Sequence, residues 1–218
     1  MTLSTDTYDR ELNHADLALK SALNEEDVKQ AILRLGYDEE RLQEGVAIYQ
    51  KAYNALESLK EKHKAQIIAA NRLKEKAREC RKHYMKVVRL ARRVIDEGSR
   101  EYVKLGLEGR RKRRLGDWLV QTREFYTEAL KSSSIQEKLA LFAIGSEELE
   151  AGLQLVEAAV QLEQEHERRK SEAQQATLDR NAAFRRLQKW ISTLKEAAAI
   201  ALEATPQLLE KMGYLVES

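Results

Sequence analysis

A chain of 218 residues is long enough to bury a sizeable core, and its 34% charged, 6% aromatic composition with one proline suits long, solvent-laced helices rather than strands. Thirty-eight Lys and Arg against 36 Asp and Glu leave a net charge of +2, so only local clustering can point to an acidic partner. The single cysteine, Cys80, excludes an intrachain disulfide and a cysteine-rich metal site.

The polar stretch at 1–9 lacks the charged-then-apolar pattern of a secretion signal, and no apolar run approaches the ~20 residues that span a bilayer. The expectation is a soluble, cytoplasmic protein with no transmembrane segment. Tyr8, Leu12, Ala15, Leu19 and Ala22 then recur every three or four residues, the face of a first helix. Asn24, followed by Glu25 and Glu26, reads as an N-cap; Val28, Ile32 and Leu35 mark a short second helix that stops at Gly36. Asp38 caps a third helix, which runs without proline to Asp96 and contains one glycine, Gly45. Its apolar stripe passes through Leu42, Tyr49, Ala52, Leu56, Leu59, Leu73, Cys80, Tyr84, Val87 and Ala91, with His63 and Gln66 at seam positions near the middle. Alternating steps of three and four are the 3.5-residue period of a helix that keeps one seam against a partner. Cys80 on that stripe reads as a core residue, and His83 as a surface one.

Glu97, Gly98 and Ser99 read as a turn, and Gly106, Gly109 and Gly116 punctuate the residues that follow. Leu115, Trp118, Leu119, Phe125, Tyr126 and Leu130 lie on a further helix, broken at 132–134; Ile135, Leu139 and Phe142 mark another short one. A second long helix starts after Gly145, contains only Gly152, and ends at Pro206.

The two halves resemble each other. Leu42 with Gly45 and Leu149 with Gly152 share a glycine stop, an acidic first turn and a Leu-x-x-Gly pattern, a step of 107 residues. Upstream, Ala18-Leu-Lys-Ser21 matches Ala129-Leu-Lys-Ser132, with slightly shorter loops after it. Each half, 1–97 and 98–218, is therefore expected to fold as helix, short helix, long helix. Residues 72–93 hold ten Lys and Arg against two Glu, whereas residues 147–167 hold seven Glu and no Lys or Arg. Antiparallel long helices bring those fields together, and flanking charges choose orientation even when each exposed pair is worth only ~0.2–1 kcal/mol. The expected fold is all-α: two long antiparallel helices forming a coiled coil, with small bundles at the ends, built by internal duplication. The alternative is that both helices break near Asn71 and Gln174 and fold into a compact bundle.

Glu11 with His14 and Glu163 with His166 have the i, i+3 spacing of bundle metal ligands, but in so glutamate-rich a chain that spacing arises by chance, and no metal or cofactor is expected. No Gly-rich phosphate loop, nucleophile elbow or zinc spacing is present. The segment that structure alone explains poorly is Arg110, Arg111, Lys112, Arg113 and Arg114, five cations placed at the start of a helix, where the macrodipole disfavours them. The sequence thus points to a non-enzymatic scaffold or adaptor that binds a protein partner or a second copy of itself. The alternative is a nucleic-acid or anionic-surface binding protein acting through those five residues.

Overall fold

The computed structural model describes residues 5–214, and all regular structure among them is helical. In chain order the helices are α1 (Thr5–Asn24), α2 (Glu26–Leu33), α3 (Glu39–Val94), α4 (Arg100–Lys104), α5 (Leu115–Lys131), α6 (Ser133–Ala140), α7 (Ser146–Ala201) and α8 (Gln207–Lys211). The two long helices, α3 and α7, pack against each other; each has 56 residues and continues without interruption past Asn71 or Gln174. α3 begins where Asp38 Oδ1 accepts the Arg41 amide at 2.9 Å. Glu39 and Glu40 lie in its first turn and Arg92 and Arg93 in its last, each sign matching the dipole at its end.

Contacts divide the chain into two compact units. The first holds the described residues up to His63 together with those from Glu172 on, and the second holds Lys64–Ser171. In the first unit, Leu42 shares a core with Leu194 and Ala198, while Ile48, Ala52 and Leu56 share one with Phe184 and Leu187. Rising numbers on α3 there meet falling numbers on α7, so the two segments run antiparallel. α1, α2 and α8 cover them, and burial of Val28, Ile32 and Met212, all fully inaccessible, fastens the short helices. In the second unit the late part of α3 (Cys80, Tyr84, Val87, Ala91) packs with the early part of α7 (Leu149, Val156, Ala159) under α4, α5 and α6. Its anchors are Trp118, Phe125 and Tyr126, whose rings meet edge to face with Tyr84 at 5.3–6.1 Å between centroids.

Element bounds repeat with a fixed step. α2 begins at 26 and α6 at 133, α3 at 39 and α7 at 146, α4 at 100 and α8 at 207, each a step of 107, and the ends of these helices keep the same step. α1 and α5 also end 107 apart, at Asn24 and Lys131, and a single residue follows each before the next helix. Local bonds repeat with the bounds: the Tyr37 amide donates to the Ile32 carbonyl at 3.2 Å, and Ile144 to Leu139 at 3.3 Å. Gly36 and Ala143, again 107 apart, both take a left-handed backbone, with φ of 80° and 58°. The glycines of the two long helices have matching roles. A Cβ on Gly45 would stand 2.3 Å from Trp190 Cη2, and one on Gly152 2.3 Å from Tyr126 Cε1.

Several sequence expectations are corrected by the packing. His63 is exposed and Gln66 half-buried, because Ala69 rather than Ala70 turns inward as the seam drifts. Leu35 and Phe142 lie beyond the ends of α2 and α6 and are 41% and 47% exposed; Tyr37 and Ile144 take the core positions instead. The upstream match belongs at Ala22 with Ala129, both fully buried, not at Ala18 with Ala129, and the loops that follow are equal in length. Gly116 sits inside α5, and α4 and α8 are two short helices the sequence reading passed over. Ser99 caps α4, accepting the Tyr102 amide at 3.1 Å, and Pro206 stands at the head of α8.

Candidate functional site

The five cations at 110–114 are not in a helix. Residues 110–113 form an irregular connection, and Arg114, with an extended backbone, is the N-cap of α5 with no side-chain cap bond. Only Arg114 therefore meets the dipole of α5 in the way the sequence suggested. The connection is tied along α3. Arg92 Nη2 donates to the carbonyls of Leu107 at 2.7 Å and Gly109 at 2.9 Å, and its Nε donates to Leu107 at 3.1 Å. Eight residues earlier on α3, the Tyr84 hydroxyl accepts from Arg111 Nη1 at 3.0 Å, while Arg111 Nη2 donates to the Glu108 carbonyl at 2.8 Å. The Lys112 amide donates to Gln121 Oε1 at 3.0 Å, and the Arg81 guanidinium lies 4.7 Å over the Trp118 ring. The loop thus descends α3 from Arg92 towards Arg81 as its own numbers rise.

These bonds separate the five residues. Arg111 is half-buried and turned inward, where its Nε has no hydrogen bond and its guanidinium partly offsets the burial that raises the Tyr84 phenol above its ordinary range. Arg110, Lys112, Arg113 and Arg114 are exposed, and their side chains form no hydrogen bond or ion pair among the described residues.

The basic field on α3 stays largely unneutralised. It lies in the same unit as the acidic stretch of α7, but among the described residues Lys86 is the one Lys or Arg of this field paired with a carboxylate of that stretch. Lys86 Nζ stands 3.0 Å and His83 Nε2 3.4 Å from Glu148 Oε1. The Lys86 hydrogen bond holds Glu148 below the usual carboxylate range. Glu157 is taken by Arg123 at 3.8 Å, and Glu79 by Lys76 at 2.6 Å. Arg78, Lys82, Arg89 and Arg93 remain exposed and unpaired among the described residues. The second unit holds 24 Lys and Arg against 17 Asp and Glu, a net charge of +7, while the rest of the chain holds 14 against 19, a net of −5. The near-neutral whole conceals this division.

The sequence reading missed a polar chain inside the second unit. His83 Nδ1 lies 2.7 Å from the Tyr126 hydroxyl, so His83 is a half-buried link rather than a surface residue. Burial drives the Tyr126 phenol upward and pushes the Cys80 thiol up to about 11. The i, i+3 pairs fall in different units. Glu11 Oε2 accepts from Gln188 at 2.9 Å, and His166 Nδ1 lies 3.6 Å from Glu167. No group of three metal-ligating side chains converges among the described residues, and no described helix is long and apolar enough to cross a membrane. Comparison with protein-family models, curated proteins and solved structures finds no match.

Proposed function

We propose that the chain is a non-enzymatic helical interaction module, built by duplication of a 107-residue unit, and that partners dock on the basic face of its second unit. The two copies under this reading span 1–107 and 108–214, so that α4 and α8 close equivalent halves. The observation that carries the proposal is a mismatch between what the copies share and what they do not. Buried positions are matched: Leu42 with Leu149, Ala52 with Ala159, Val87 with Leu194, Ala91 with Ala198 and Ile95 with Leu202 are all inaccessible or nearly so. Arg78 and Lys82 recur as Arg185 and Lys189, but the other eight cations of residues 72–93 have no basic counterpart. Where α3 has Arg72, Lys74, Lys86, Arg89 and Arg93, α7 has Asp179, Asn181, Thr193, Glu196 and Ile200. A helix of the same length folds into the same kind of core without these charges, so folding does not account for them.

Exposed like charges repel one another, and a partner of opposite sign relieves that repulsion. The reading is tested by retention on a heparin column. Arg110→Gln/Arg113→Gln/Arg114→Gln should elute at clearly lower salt than the parent, with helicity unchanged, whereas Lys51→Gln in the first unit should elute with the parent. Equal elution of all three proteins would refute the basic face as the docking surface.

A further inference from the structure

We infer that the basic face of the second unit binds the phosphate backbone of duplex nucleic acid. The inference rests on the reading above that this face is the docking surface, and it adds the chemistry of the partner. Arg78, Lys82, Arg89 and Arg93 follow one another on α3 by four, seven and four residues, steps that return to one side of an α-helix. At ~1.5 Å per residue the row is about 22 Å long. Glu75, one turn before Arg78, ends it. A second group of exposed cations, Arg110, Lys112, Arg113 and Arg114, lies in the loop held by Arg92 and Tyr84. Of the loop's anchors on α3, Arg81 and Arg92 stand roughly 60–100° round the helix from the first row, while Tyr84 faces the core on the far side.

Residue type narrows the partner further. Six of the eight cations are arginines, whose planar fork pairs with phosphate oxygens in a bidentate way. Between residues 72 and 114 the only exposed large apolar side chain is Val103, and Tyr84 and Tyr102 are buried. The stretch that carries the cations therefore has no apolar wedge to enter lipid and no exposed ring on which unpaired bases could stack; the exposed apolar side chains Val120, Leu141 and Phe142 of the same unit belong to α5 and the end of α6. What remains is a rigid, arginine-rich array suited to backbone charge without sequence readout.

The test is fluorescence anisotropy with a labelled DNA duplex of about 20 base pairs, titrated between about 50 and 200 mM salt. Binding should weaken linearly on a double-logarithmic plot, with a slope of about −0.9 per phosphate contacted and thus roughly −5 to −7 for six to eight contacts. Arg78→Gln/Arg89→Gln/Arg93→Gln and Arg110→Gln/Arg113→Gln/Arg114→Gln should each flatten the slope by about 2.7, with circular dichroism unchanged. Should either triple variant misfold, Arg89→Gln and Arg113→Gln alone should each remove about 0.9. A single strand of the same length should bind more weakly. Tighter binding of the single strand, or of phosphatidylserine vesicles or polyglutamate, would overturn the duplex assignment while leaving the docking face in place. Absence of binding to every polyanion, heparin included, at the lowest salt would remove both.

Discussion

Gly45 and Gly152 occupy equivalent points of the two long helices, and each is there because an aromatic ring fills the space a side chain would need. A Cβ at either position would meet Trp190 or Tyr126 at 2.3 Å, closer than any real contact, and both rings are wedged among other core groups. Alanine raises intrinsic helix stability by ~1 kcal/mol over glycine. Overpacking costs ~1–3 kcal/mol, so the clash outweighs the propensity and Gly152→Ala should lower stability in urea titration. Gly45→Ala should cost less than Gly152→Ala, because Trp190 is only partly buried and has room to shift, whereas Tyr126 is fully enclosed. A rise in the unfolding midpoint for either variant would show that the ring moves freely. Cys80 offers a second check at this scale. It is 1% exposed with its thiol pushed up to about 11, so at pH 8 it should react with an aromatic disulfide only as fast as the protein opens, and rapidly in denaturant.

At the level of single elements, the turns that end α2 and α6 make opposite predictions from one geometry. Gly36 holds φ of 80° at no steric cost, while Ala143 holds φ of 58° against its own Cβ. Ala143→Gly should therefore stabilise, and Gly36→Ala destabilise, each by roughly 1 kcal/mol in thermal or urea unfolding. α4 is fastened to α6 by Glu101, which accepts from Lys138 Nζ at 2.5 Å and Ser134 Oγ at 2.7 Å. Those bonds, the Lys138 one first, lower the carboxyl of Glu101, and the same Glu101 bond raises the amine of Lys138. The carboxyl's contribution is complete above the ordinary glutamate range and is lost as pH falls through the lowered value. That of the amine is complete below the ordinary lysine range and is lost as pH rises through the raised one. The melting difference between the parent and Glu101→Gln should accordingly be greatest near neutrality and shrink on both sides; a difference independent of pH would mean the bond contributes nothing. Helix by helix, the three- and four-residue periodicity located α1, α2, α3, α5, α6 and α7. It could not fix the register of α1 against α5, because the misplaced Ala-Leu-Lys-Ser match differs from the true step by four residues, one helical turn, which leaves the apolar face almost unchanged. The one-residue connections settle the register, and they carry no periodic signal. α4 and α8 escaped notice because five residues are too few to show a period at all.

For the molecule as a whole, the basic run at 110–114 was legible as an anomaly, but its division into an inward Arg111 and four outward cations was not, since that depends on Tyr84, 27 residues earlier, presenting its hydroxyl. The unpaired state of the α3 field was hidden for a related reason: counting charges shows which fields share a unit but not which carboxylates reach a cation, and only Glu148 does so across the two stretches. The thinning of the seam near the middle of both long helices was visible, and it carries a prediction about cooperativity. Between Leu59 and Leu73 the only buried residue of α3 is Ala69, and between Ala159 and Phe184 those of α7 are Ala173, Ala176 and Arg180. Alanines bury little area, and at ~25 cal/mol per Å² they contribute far less than the leucine and aromatic clusters of the two units. Helix propagation with so little tertiary burial is close to neutral in water, so each unit is expected to unfold on its own. Each unit holds one tryptophan, Trp118 in the second and Trp190 in the first. Trp190→Phe then leaves a reporter of the second unit and Trp118→Phe one of the first, and their urea transitions should fall at different midpoints, each with a slope below that expected for 218 residues unfolding together. Adding Gly152→Ala should lower the midpoint reported by Trp118 and leave that of Trp190 in place. Coincident midpoints that move together under Gly152→Ala would show instead that the alanine-lined middle transmits the full stability of one unit to the other.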